Sequence, residues 1–70
     1  MTEERIARVT KEWSQLAGDS LTIEAIGGAI YAFGTELACL RLHYKMRIGE
    51  VKFSENLQSW FYSKELVFTS

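Results

Sequence analysis

From Thr22 to Arg47 the large apolar residues fall at Ile23, Ile26, Ile30, Phe33, Leu37, Leu40 and Tyr44. Successive spacings of 3, 4, 3, 4, 3 and 4 trace one helical face, and no period of two competes with them. The pattern predicts one long central helix over about 22–47, roughly 38 Å from end to end. Ahead of it, Ile6, Val9, Trp13 and Leu16 repeat a 3, 4, 3 spacing. Glu3, Glu4, Arg8, Lys11, Glu12 and Gln15 occupy the other faces. This reads as an amphipathic first helix over about 3–17, with Thr2 as N-cap, acids in its first turn and Gly18 as its stop. The connection Gly18-Asp19-Ser20-Leu21 is short enough to make the two helices antiparallel neighbours. Thr22 then serves as the second N-cap, with Leu21 and Ile26 placed as a hydrophobic staple.

Polarity returns at Arg41, His43, Lys45 and Arg47, where cations complement the carboxyl end of a helix, and Gly49 closes it. Glu50-Val51-Lys52-Phe53 alternates briefly, as an extended segment does. Ser54 as N-cap, Glu55 behind it and the apolar residues Leu57, Trp60 and Phe61 predict a short third helix over about 54–63. The terminal Leu66, Val67 and Phe68 are apolar enough to require anchoring, on their own core or across a subunit boundary.

Small residues add a second stripe to the central segment. Ala25, Gly28, Ala29, Ala32, Thr35 and Cys39 run beside the large-residue face, with Gly27 and Gly34 on its other flank. Each glycine inside a helix costs about 1 kcal/mol against alanine, which close approach of another helix would offset. A helix apolar nearly all round is buried, and the first helix is too short to cover this one. The expectation is therefore an all-α fold: a helical hairpin plus the short third helix, one domain over residues 1–70. A second copy completes a four-helix-type core, with Ala25, Gly28, Ala29, Ala32 and Cys39 as the dimer interface.

Composition narrows the class. Seventy residues make one small domain; an apolar content of 47% and a lack of low-complexity sequence oppose a disordered chain. A net charge of −1 gives no global attraction for nucleic acid or anionic membrane. The single Cys39 forms no internal disulfide. Met1-Thr2-Glu3-Glu4-Arg5 carries acid where a signal peptide needs base, so a cytoplasmic location is expected. The longest uncharged run, Ala25 to Thr35, has 11 residues, against the ~20 of a membrane span.

Candidate chemistry is sparse. Glu36, Cys39 and His43 are zinc-ligand types spaced to share one side of a helix, but no CxxC or HxxxH pair supports them. No phosphate-binding glycine motif, activated nucleophile or carboxylate couple is present. No enzyme activity, metal or cofactor is therefore expected. A non-catalytic protein-interaction, adaptor or regulatory module is the favoured reading. Trp60, Phe61, Tyr62 and Phe68 would form its partner surface, or a groove for a small apolar ligand. The alternative is a nucleic-acid-associated regulator contacting polyanion through Arg41, Lys45, Arg47 and Lys52.

Overall fold

The computed structural model describes residues 2–65. It is a two-layer α/β arrangement, not a helical hairpin. Helix α1 (Glu3–Ala17) is followed by strands β1 (Thr22–Ile26) and β2 (Ala29–Gly34), helix α2 (Glu36–Met46), and strands β3 (Glu50–Ser54) and β4 (Ser59–Glu65). The strands form one antiparallel sheet in the order β1-β2-β4-β3. Both helices lie on the same face of it, α1 towards β1 and α2 towards β4.

Helix α1 occupies the range its periodicity predicts. The Thr2 side chain accepts from the Arg5 amide, and Gly18 closes the helix with φ +71° while donating to the Ser14 carbonyl. The expected central helix is the main correction. Residues 22–47 divide into β1, a two-residue turn, β2 and a shorter helix. Gly27 and Gly28 both have positive φ, +56° and +79°, as a two-residue hairpin turn of the primed type requires. A second N-cap at Thr35, whose side chain accepts from the Ala38 amide, starts α2 immediately after β2. The helix ends at Met46, with Arg47 left-handed at φ +60°, so Gly49 does not end it. The third helix expected over 54–63 is also replaced: Ser54 ends β3, residues 55–58 turn, and the rest belongs to β4. The Ser54 side chain still accepts a backbone amide, that of Leu57, but it caps a turn.

The inner face of the sheet is set by strand register. Ile23, Ala32, Tyr62 and Val51 fall in one row across all four strands. Above them sit Trp13 and Ala17 from α1 and Ala38, Cys39 and Leu42 from α2; with Leu21 and Ile30 these form the core. Burial of each large apolar side chain contributes about 1.5–3 kcal/mol. Tyr62 is the hub. Its ring meets Trp13 edge-on at 5.4 Å, and its hydroxyl donates to the Ile48 carbonyl. The small residues Ala32 and Cys39 let the sheet and α2 approach closely inside one chain, which removes the need for a second copy to cover them. Ala25 and Gly28 are exposed and Ala29 half-buried, on β1, the turn and β2. The five residues expected to line one helix face therefore share no helix. Among the described residues no helix is long and apolar enough to cross a membrane.

Burial raises the Cys39 thiol above its ordinary 9.0, partly opposed by backbone hydrogen bonds from Gly34 and Tyr62, and raises the Tyr62 phenol above its ordinary 10.0. Both groups hold their protons more tightly folded than unfolded. Stability is therefore fully present below pH ~9 and falls as pH rises past the unfolded pKa values towards the folded ones. Denaturant midpoints measured from pH 7 to 11 should decline above ~9, with the first part of the decline absent in Cys39→Ala. A disulfide reagent should leave the native thiol unreacted at pH 8 and label it in denaturant.

Candidate functional site

The face of the sheet opposite the helices is covered by no element among the described residues. Strand alternation decides what it carries. Thr22, Phe33, Phe61 and Lys52 form one outward row across the four strands, and Glu24, Tyr31, Ser63 and Glu50 form the next. An outer face of this kind is ordinarily polar, yet its centre is aromatic. Tyr31 stacks on Phe33 along β2 at 6.4 Å, and Phe61 on β4 lies 5.8 Å from each. The three rings shield one another, so each is half-buried while the patch as a whole faces outwards.

The rim is acidic. Glu24, Glu50 and Glu65 point to this face, and Lys52 is its only cation among the described residues. Lys52 is held 3.2 Å from Glu50 in an exposed ion pair, and among the described residues no cation pairs with Glu24 or Glu65 on this face. Because β3 begins at Glu50, opposite Ser63, it does not flank the last two residues of β4. The step opens a cleft of about 490 Å³ beside the rings, lined among others by Tyr31, Glu50, Ser63 and Glu65.

The residues expected to contact polyanion are separated. Lys45 donates to the Leu16 carbonyl at 2.8 Å, and the Arg41 guanidinium lies against Gly18, so both cations serve the carboxyl end of α1. Arg47 is the left-handed residue closing α2, and Lys52 is on the opposite side of the sheet. The aromatic run is separated too. Phe61 joins the outer face, Tyr62 is buried, and Trp60 is half-buried on the helix side, edge-on to Phe53 at 5.4 Å. Phe68 lies outside the described residues. Glu36 is exposed while Cys39 is buried, and no three metal-ligating side chains come together among the described residues.

No family model, curated protein or solved structure matches this chain. The principal members of the site, Tyr31 and Phe33, were legible as surface residues only through the Gly27-Gly28 turn, which converts a helical period into two strands.

Proposed function

We propose that the protein is a non-catalytic interaction module whose open sheet face takes a cationic segment of a partner protein. One observation carries this reading: a contiguous cluster of three aromatic rings stands on the sheet face opposite the helices, which no element among the described residues covers, rimmed by carboxylates. Aromatic surfaces are enriched in protein interfaces, and arginine is their common counterpart. A guanidinium laid over Phe33 or Phe61 gains cation–π attraction. Its chain neighbours would meet Glu24, Glu50 and Glu65 at the rim. A single-stranded nucleic acid also stacks bases on aromatic platforms, but among the described residues three carboxylates against one lysine on this face repel its phosphates.

The test is a titration of labelled protein with an arginine–glycine repeat peptide, followed by amide chemical shifts. Shifts should concentrate at Thr22, Tyr31, Phe33, Lys52 and Phe61. Phe33→Ser with Phe61→Ser should weaken binding at least about tenfold and leave the amide spectrum of the helices in place. Glu24→Gln with Glu50→Gln should weaken it less and reduce its salt dependence. Tighter binding of an oligothymidylate to the same residues, or no shift on the sheet with any peptide, would overturn the proposal.

A further inference from the structure

Helix α2 is apolar on two sides. Ala38, Cys39 and Leu42 face the core, while Leu37, Leu40 and Tyr44 face outwards at 58%, 47% and 75% exposure, continued by Ile48 at 56%. A surface helix normally turns a polar face to water. This one sets a two-turn apolar stripe there instead, which Ile48 extends past the end of the helix. Its flanks are not alike. On the α1 side, Arg41 and Lys45 are turned to the end of α1. On the other side stand Glu36 and Arg47. Eleven residues separate them, three turns at about 3.6 per turn, so they share one flank at opposite ends of the helix.

We propose that the stripe is the contact between two copies of the chain, with α2 packed antiparallel on its counterpart about a two-fold axis. Charge complementarity on the Glu36–Arg47 flank selects this occupant, the Arg41 and Lys45 side chains of the other flank being drawn back to the carboxyl end of α1. A two-fold axis normal to the helix pair keeps each flank on its own side and reverses the helix direction. Glu36 of each copy is thereby brought to the Arg47 end of the other, twice per dimer. The helix dipoles also oppose, and Leu37, Leu40 and Tyr44 close on themselves as an isologous patch. A pair of helices of 11 residues buries less than the ~1,200 Å² of a standard interface, so the association is weak, with a dissociation constant of about 10–100 µM.

The arrangement differs in kind from the helical core expected from sequence, because each chain already has its own core. It is also independent of the peptide-binding proposal. Since α2 lies between its own sheet and the partner, the two open sheet faces end up outermost and remain free. The dimer would present them to two ligands at once.

Sedimentation equilibrium on the full chain, from about 5 µM to 1 mM, tests it by bracketing that range. Monomer mass at the low end and twice that mass at the high end are expected. Leu40→Glu and Tyr44→Glu should each weaken association roughly tenfold or more with unchanged circular dichroism; the high exposure of Tyr44 makes the second variant safe for folding. Glu36→Lys or Arg47→Glu alone should lower the dimer fraction, and the two together should restore it. A monomer throughout, association unaffected by Tyr44→Glu, or a failure of the double charge exchange to recover dimer would each overturn the proposal.

Discussion

Gly49→Ala should remove much of the protein's stability at room temperature. Gly49 has φ +97°, which L-residues rarely adopt. A Cβ there would lie 2.5 Å from the Ser63 carbonyl oxygen and 2.8 Å from two atoms of the Tyr62 ring. Neither neighbour can yield. The carbonyl belongs to β4 opposite the start of β3, and the ring is fully buried against Trp13. Backbone strain costs about 1–3 kcal/mol and overpacking about as much again. A domain of this length commands about 4–10 kcal/mol in total, so the two penalties together consume much of it. The urea midpoint should fall sharply at an unchanged slope. Gly28→Ala is the control: it too has positive φ, but its Cβ would meet nothing within 4 Å. Its loss should be confined to turn strain, about 1 kcal/mol. Equal losses at the two glycines would show that the close approach at Gly49 is not what constrains it.

The same contrast between local geometry and periodicity explains what the sequence makes legible. Helix α1 is readable because its pattern, caps and flanking charges agree. The central segment is not, because β2 breaks the rule that outward residues are polar. Ile30 and Ala32 point in while Tyr31 and Phe33 point out, so β2 reads as a continuous apolar run with no alternation. Spacings of 3 and 4 then arise by placement: Ile23 and Ile30 face the core, Ile26 and Phe33 the other side, and Leu37, Leu40 and Tyr44 the outside of α2. The decisive cue was local. Gly27-Gly28 between β-branched and aromatic runs is a hairpin signal, and Thr35-Glu36 is a helix start. A helix containing three glycines required a special explanation; a hairpin turn requires none at Gly27 and Gly28. The same apolar excess defeats the pattern twice. The outer sheet face and the outer α2 stripe carry apolar side chains beyond what the core uses, and each surface became a proposed binding face once the topology separated it from the core.

Tyr62→Ala should destabilise the domain as severely as Gly49→Ala, by the opposite mechanism. The side chain is fully buried in the middle of the inner row, between Ala32 and Val51. It meets Trp13 edge-on and lies 6.2 Å from His43, so one ring joins β4 to both helices. Removing a buried aromatic ring costs about 3–5 kcal/mol through lost transfer energy and the cavity left behind. Ala32 and Cys39 are too small to fill that cavity. The neighbouring loop is released too, because the Tyr62 hydroxyl holds the Ile48 carbonyl and the ring underlies Gly49. Tyr62→Phe separates the two contributions. It keeps the ring and removes only the hydrogen bond, worth about 0.5–1.5 kcal/mol, and Ile48 is exposed enough for water to replace the donor. Thermal or urea denaturation of the two variants should therefore show a small loss of stability for phenylalanine and a several-fold larger one for alanine. If both lose equally, the hydroxyl–Ile48 bond is the principal tie and the ring is secondary. If neither loses, the contact of β4 with the two helices does not hold this fold together.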